Sequence, residues 1–333
     1  MRLLILGGTR FAGPAVAAEA VARGWDVTVA HRGRSGPTPA GARHVAVDRT
    51  RPADLERLAD GSYDLVVDTW SGAPAVARAT AAVLAPVTGR WAYVSSRSVY
   101  APPPARGADE SAPLVDADPD AGQTDYPADK RGAELALERE LGADRVVSLR
   151  CGLVLGPGED VGRLPWWLRR VARGGDVLAP APPDLGVQYV DVRDLARFAC
   201  DVLADGRSGP VDVVRPAGDV TLGDVLGACV RVTGGRARLV WVDPHRLVAA
   251  GVAPWTDLPL WIPWNDPWYG LLDSDESRAR SWGLRSRPAD DTVAATWDWV
   301  RRVDADGSAP PPRSPVGLDP DREARLLADL APR

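Results

Sequence analysis

Tyr126 and Lys130 stand four residues apart, and Lys130 is the only lysine among 40 Lys and Arg residues. Such a bias fits a composition in which arginine serves wherever a generic positive charge suffices. A retained lysine then marks a site where arginine will not serve. Lysine carries a compact charge on a flexible stem, whereas the guanidinium is planar and always charged. On a helix, residues i and i+4 share one face. A free phenol titrates near about 10, too high for acid–base work at neutral pH. A neighbouring ammonium favours the phenolate. A tyrosine tuned in this way can pass a proton to or from a carbonyl or alcohol oxygen. Thr124 or Asp125 can cap the helix, and Pro127 suits its first turn. About 30 residues upstream, Tyr93-Val94-Ser95-Ser96-Arg97-Ser98-Val99-Tyr100 ends a strand-like segment. A serine there can hydrogen-bond a substrate oxygen and help stabilise developing charge. In isolation, a serine at a strand end is a turn residue.

Gly7-Gly8-Thr9-Arg10-Phe11-Ala12-Gly13 follows an apolar run at 2–6 and precedes an Ala/Val-rich helical pattern at 14–23. Strand, glycine turn and helix in that order seat a dinucleotide pyrophosphate, because N–H groups at a helix N-terminus point at the anion. Glycines allow the tight turn and the close backbone approach. Gly7, Thr9, Arg10, Phe11 and Gly13 are the binding candidates in this turn; a tight βα turn without ligand is the plainer alternative. An NAD site usually carries an acid at the end of the second strand for the ribose 2′-hydroxyl. Here that strand ends Val29-Ala30-His31-Arg32-Gly33-Arg34. Arg32 and Arg34 suit a 2′-phosphate, so NADP(H) is the expected cofactor and NAD(H) the alternative. Solvated loop charges would read the same way. Asp48, at the end of the third strand, either meets the adenine ring or caps its loop. Tyr126 and Lys130 join the binding candidates, since Lys130 can also hold the nicotinamide ribose hydroxyls.

The elements that must position these residues alternate. Strands are expected at 2–6, 26–30, 44–47, 64–68, 90–95 and 145–149, and helices at 14–23, 52–59, 74–84 and about 126–141. Short apolar strands alternating with helices predict a parallel sheet covered on both faces, a Rossmann-type doubly wound α/β fold. Residues 1–150 plus about 186–215 should form this dinucleotide-binding domain. Within the second stretch, 187–192, a helix over 194–203 and a strand over 211–214 look like a return to the sheet. Beyond Arg150, prolines, glycines and tryptophans cluster, and eight of the 13 Trp fall between Trp241 and Trp299. About 151–185 and 216–303 should form a smaller, loop-rich substrate lobe. There Arg163, Arg169, Arg170 and Arg173 flank Trp166-Trp167, and Trp255, Trp261, Trp264 and Trp268 form either an aromatic pocket wall or plain core. Residues 304–333 read as a linker and tail, with a short surface helix over 321–330.

At 333 residues, 45% hydrophobic and 26% charged, the chain is long enough for a real core, as one large domain or two modest ones. A net charge of -5 gives no basic excess for a nucleic-acid partner. No apolar run approaches the roughly 20 residues of a membrane span. The opening Met-Arg-Leu-Leu-Ile-Leu-Gly-Gly is too short for a signal peptide, so a cytoplasmic location is expected. Cys151, Cys200 and Cys229 are too few and odd in number for a disulfide framework. His31, His44 and His245 lack metal-ligand spacing, and no metal is expected.

The glycine turn, Ser-Ser-x-Ser-Val-Tyr and Tyr-x-x-x-Lys, in this order and spacing, resemble the extended short-chain dehydrogenase/reductase superfamily. The particular branch is that of the NAD-dependent epimerase/dehydratase family proteins. Arg150-Cys151-Gly152-Leu153-Val154-Leu155-Gly156-Pro157-Gly158 is similar to the family's Arg-Pro-Gly-x-x-x-Gly-Pro segment, and Gln188–Ala196 is a further match. The likeness spans roughly residues 1–300. It implies that Ser96, Tyr126 and Lys130 are the catalytic Ser, Tyr and Lys. Ser96 follows from counting back from Val99-Tyr100, with Ser95 and Ser98 as alternatives. It also implies that arginines of the second lobe hold a diphosphate in nucleotide-sugar relatives, against the bland alternative of a solvated basic face. A homodimer through helices around the Tyr/Lys segment is a further implication. Two departures matter. Arg10 stands where the family's turn has its middle glycine, as in atypical members that include NADPH-dependent reductases. Cys151 replaces the usual proline, as a redox-active thiol or a small buried one. The expected activity is NADP(H)-dependent reduction of a ketone or aldehyde of a small-molecule substrate. The alternatives are a sugar or nucleotide-sugar epimerase or dehydratase with transient hydride transfer, and a non-catalytic NADP-sensing protein.

Overall fold

The computed structural model describes residues 1–33 and 36–330. The first elements alternate along the chain: β1 (Arg2–Leu6), α1 (Ala12–Ala22), β2 (Asp26–His31), β3 (Arg43–Ala46), α2 (Pro52–Ala59), β4 (Tyr63–Asp68), α3 (Pro74–Leu84), β5 (Thr88–Ser96), α4 (Tyr126–Leu141) and β6 (Val146–Cys151). They are followed by β7 (Leu153–Leu155), α5 (Arg163–Ala172), β8 (Gly175–Pro180), β9 (Tyr189–Asp191), α6 (Val192–Ala204) and β10 (Gly209–Val213). The remainder comprises α7 (Leu222–Val232), β11 (Ala237–Val242), α8 (Pro244–Ala249), α9 (Ser277–Ser281), α10 (Ala289–Asp306) and α11 (Pro320–Leu330).

Two compact units divide the chain. The first takes residues 1–152, 192–214 and 275–285; the second takes 153–191, 215–274 and the chain from Ser286 onward.

The first unit is built on a seven-stranded sheet in the order β10-β6-β5-β4-β1-β2-β3, parallel throughout. Leu3, Leu4, Ile5 and Leu6 of β1 are each 0% exposed, as a strand covered on both faces requires. The chain runs from β1 to β2 on one side and reaches β4 on the other, so the direction of winding reverses at β1. That reversal opens the crevice where doubly wound sheets bind ligands, at the carboxyl ends of the strands. Helix α4 has the limits its end signals predict. The Asp125 carboxylate caps it by accepting the Ala128 N–H, Pro127 occupies the first turn, and Gly142 at φ 86° ends it.

The second unit holds two small parallel sheets, β11-β8 and β7-β9. Its core gathers Trp167, Trp261, Tyr189 and Leu222, all at most 1% exposed. Two sequence expectations change here. The segment around 187–192 does not return to the main sheet; β9 is three residues long and pairs with β7. Only α6 and β10 of that stretch join the first unit. The composition of residues 304–333 predicts linker and tail, yet the described part packs into the second unit. Leu318 and Leu326 lie in its core. Arg170 pairs with the buried Glu323, Arg313 with Asp160 at 2.6 Å, and Arg322 with Asp257 at 2.9 Å. A composition rich in Pro, Gly and Asp conceals these specific anchors. No helix among the described residues is long and apolar enough to cross a membrane.

Candidate active site

Three segments at the carboxyl ends of the first unit's strands carry the candidates. The turn after β1 is shaped by backbone. Gly7 and Gly8 have φ of 113° and 83°, in the left-handed region that favours glycine. A Cβ on Gly13 would stand 2.3 Å from the Gly8 Cα, so only glycine lets α1 begin this close to the turn. Phe11, just before α1, holds φ 44° and ψ -97°, a strained geometry for a side-chain-bearing residue, and α1 has no side-chain cap. Thr9 and Phe11 are half-buried and Arg10 is exposed. An uncapped helix start behind a glycine turn is the donor set a pyrophosphate needs, so these residues fit a dinucleotide.

The end of β2 carries His31, which is 8% exposed. Its Nδ1 accepts the Gly33 N–H at 2.9 Å, so the neutral ring carries its proton on Nε2, 3.3 Å from Thr38 Oγ1. The ring stacks on His44 with centroids 3.9 Å apart. Burial, helped by the His44 charge, pushes the His31 imidazole down from its usual value. This strand end therefore carries no negative charge. Arg32 follows, exposed; Arg34 lies outside the described residues. The Asp48 carboxylate accepts from the Thr50 hydroxyl and N–H at 2.7 and 3.1 Å. These bonds, with the Arg32 charge, hold it below the usual carboxylate range. Asp48 thus caps its own loop.

Tyr126 begins α4 and is 50% exposed, whereas Lys130 is 3% exposed. The Lys130 Nζ lies 6.0 Å from the centroid of the Tyr126 ring and 4.8 Å from that of Tyr93. It donates to the Val94 carbonyl of β5 at 2.7 Å, two residues before Ser96. Ser96 ends β5, half-buried; its Oγ accepts the Ser98 N–H at 3.1 Å and donates to Ser98 Oγ at 3.2 Å. Ser95 turns the other way, as alternation along a strand demands, and donates to Glu134 Oε1 at 2.7 Å. The hydroxyl of Ser95 is thereby occupied in structure.

Behind these residues lies a buried polar network that side-chain motifs did not announce. Arg150 grips both oxygens of Glu134 through Nε and Nη2, at 3.0 and 2.9 Å. The Tyr100 hydroxyl donates to Asp212 at 2.6 Å, and Arg97 Nε donates to the same carboxylate at 3.0 Å. Burial pushes Asp212 up to about 6. Glu134 had a readable signal, since it lies four residues after Lys130 on the same helical face. Asp212 had none, being 112 residues from Tyr100.

Cys151 is an inert thiol. It is buried, and burial pushes it up to about 12 against the opposing charge of Lys130. Burial pushes Cys200 up to about 12 as well and raises Cys229. Native protein should therefore resist iodoacetamide at all three cysteines at neutral pH, while denatured protein alkylates at each. Mass spectrometry reads the result, and a native adduct at Cys151 would restore the redox alternative.

In the second unit, two arginines of α5 are paired with acids, one at the surface and one buried. Arg169 pairs with Asp304 at 2.6 Å, and Arg170 with Glu323. Arg163 sits 4.8 Å from the Trp255 ring centroid. Trp261 is core at 0% exposure, whereas Trp264 and Trp268 are exposed. Among the described residues, no group of three or more His, Cys, Asp or Glu could hold a metal ion.

The parallel sheet, its glycine turn at the reversal of winding and the lysine–tyrosine helix beside β5 define a class. The chain is an NAD(P)-dependent enzyme of the short-chain dehydrogenase/reductase superfamily. More narrowly, it belongs to the NAD dependent epimerase/dehydratase family, which it matches over residues 3–214. No functionally curated protein matches it. Similar solved structures include the UDP-glucose 4-epimerase of Thermotoga maritima with UDP-glucose, at 18% identity and a TM-score of 0.65, covering 91% of this chain and 99% of that one. The UDP-glucose 4-epimerase of Thermus thermophilus in complex with NAD is 21% identical, with a TM-score of 0.63 and coverage of 90% and 99%. The Bordetella bronchiseptica enzyme WbmG with NAD and UDP is 20% identical, with a TM-score of 0.67 and coverage of 96% and 99%.

Proposed function

We propose that this enzyme is an NADP(H)-dependent oxidoreductase that reduces a ketone or aldehyde of a small molecule. The observation that carries the reading is the end of β2, where a neutral, fully engaged His31 and then Arg32 stand in place of an acid. When bound, the nicotinamide cofactor supplies hydride-transfer chemistry. Gly7, Thr9, Arg10, Phe11 and Gly13 would hold its pyrophosphate at the start of α1. Arg32 and Arg34 would hold a 2′-phosphate, Asp48 would order the loop at the adenine end, and Lys130 would hold the nicotinamide ribose. Tyr126 gives a proton to the substrate oxygen, and the Lys130 ammonium stabilises the phenolate that remains. The Ser96 hydroxyl holds the same oxygen while charge develops on it.

Replacing Arg32 by Asp puts a negative charge where the 2′-phosphate would bind. Arg32→Asp should weaken NADPH about a hundredfold while leaving NADH within about threefold. Calorimetric titration of both nucleotides measures this, and an equal loss for the two would sink the NADP assignment.

The second reading is a sugar or nucleotide-sugar epimerase or dehydratase that recycles its cofactor in place. The family match and the UDP-bearing neighbours favour it. The engagement of Arg169 and Arg170 by Asp304 and Glu323 weighs against a diphosphate on α5. The two readings part on freshly purified protein. Preferential, freely exchanging NADPH supports net reduction; stoichiometric NAD released only on denaturation supports recycling. Tight NADP binding with no turnover on a panel of carbonyl compounds would instead mark a sensing protein.

A further inference from the structure

Lys130 is held from a direction that its spacing to Tyr126 does not reveal. Besides the Val94 carbonyl, its ammonium donates to the carbonyl of Trp70 at 2.6 Å. Trp70 lies in the turn after β4, and its carbonyl also accepts the Tyr93 hydroxyl at 3.0 Å. The contacts continue behind it. The Trp70 N–H donates to Asp68 Oδ1 at 2.9 Å. Both oxygens of Asp68 accept from the fork of Arg49, at 2.6 and 2.8 Å. The same guanidinium lies 4.9 Å from the Trp70 ring centroid, and its Nε donates to Thr80 on α3 at 3.2 Å. The pair is buried, with Asp68 at 0% and Arg49 at 8% exposure. Burying two charges consumes most of what their attraction returns, so packing alone does not account for an ion pair here.

We propose that Arg49, Asp68 and Trp70 are a positioning relay that holds the Lys130 ammonium beside Tyr126. The reasoning is directional. A carboxylate gripped by a planar fork cannot rotate. It fixes the Trp70 peptide at its N–H, stacking fixes the indole, and the carbonyl of the residue keeps one direction. That carbonyl and the Val94 carbonyl meet an ammonium whose four-carbon stem is otherwise flexible. Without the relay the charge can swing away from the phenol. Arg49 directly follows Asp48, so the relay begins beside the loop that the proposed function puts at the adenine end. The ionisable groups beside this ammonium are Tyr126 on its own helix, Tyr93 on β5 and Cys151 on β6, and the charges of Asp68, Arg49 and Glu134 act in turn on Tyr93.

The inference rests on the reading of Tyr126 and Lys130 as an acid–base pair, and its test separates the two. The phenol titration of Tyr126 is followed by NMR of ring-labelled tyrosine, with Tyr126→Phe assigning the signal. Lys130→Met is the reference and should raise the Tyr126 pKa by about one unit or more. Arg49→Met and Asp68→Asn should raise it by about half as much, although each leaves a buried charge unpaired. The double variant Arg49→Met/Asp68→Asn removes both charges and keeps the test alive if the single variants do not fold. A folded double variant with an unmoved Tyr126 titration overturns the relay and leaves the Tyr126/Lys130 pair standing. An unmoved titration in Lys130→Met overturns both. A merely structural ion pair would lower the unfolding temperature without moving the phenol.

Discussion

Tyr126→Phe is expected to lower turnover by about 10²–10⁴-fold, the range that a positioned proton donor supplies, while leaving nucleotide binding close to that of the parent. In the proposed reaction the phenol protonates the product oxygen, and it sits on the first residue of a helix that is capped independently by Asp125. Tyr126 is 50% exposed, so removing its hydroxyl is a change at the surface and not in the core. Stability should therefore change by no more than about 0.5 kcal/mol. Lost activity can then be assigned to lost chemistry. The measurement is NADPH consumption over a panel of ketones and aldehydes, beside titration of the nucleotide and a thermal melt. Retained full activity would mean that another residue donates the proton. Lys130→Met should behave differently, lowering turnover and weakening nucleotide together, because the proposed function gives Lys130 two tasks and Tyr126 chiefly one.

The site is legible in the sequence where its parts are local. The limits of α4 are readable because cap, proline and terminal glycine all lie within the helix's own segment. The glycine turn is readable because φ above zero and a close backbone approach both demand the same residue type. Counting back from Val99-Tyr100 selects Ser96 but keeps Ser95 as an alternative. Their roles diverge because neighbouring strand residues face opposite ways, and only Ser95 meets Glu134. The relay behind Lys130 is beyond sequence reading for a different reason. Its last member acts through a backbone carbonyl, which has no residue signature, and Arg49 and Asp68 meet across 19 positions. The tail from 304 onward misleads in the opposite sense. Pro, Gly and Asp suggest a linker, yet an isolated glutamate, Glu323, finds the buried face of α5 through Arg170 and also accepts the Leu178 N–H at 3.1 Å. Arg169 and Arg170 of α5 look like ligands for a phosphate until the acids they pair with are located.

Glu134→Leu should destabilise the first unit by about 3–5 kcal/mol and lower its unfolding temperature by about 10 °C. Glu134 is 0% exposed and Arg150 is 2% exposed. Two of the guanidinium's nitrogens meet the carboxylate at 3.0 and 2.9 Å, and Arg131 reaches it at 2.9 Å. Once the carboxylate is gone, Arg150 is left with long contacts, to Tyr100 Oη at 3.3 Å and the Glu110 carbonyl at 3.5 Å. A buried cation so weakly matched costs far more than the pair contributes when intact. The double variant Glu134→Leu/Arg150→Met should therefore be more stable than Glu134→Leu alone, because the deeply buried Arg150 charge is gone and only the more exposed Arg131 loses a partner. Calorimetry of the three proteins tests the argument, and a single variant that melts within about 2 °C of the parent would refute it. The pair also joins the two segments that carry the candidate residues. Glu134 lies one turn after Lys130 on α4, and through Ser95 it grips β5 one residue before Ser96. Loosening it should shift the serine relative to the Tyr126/Lys130 face, so that any Glu134→Gln protein that still folds loses turnover before it loses nucleotide affinity. The ion pair between α4 and β6 thus ties the fold to the placement of the candidate residues through one set of contacts.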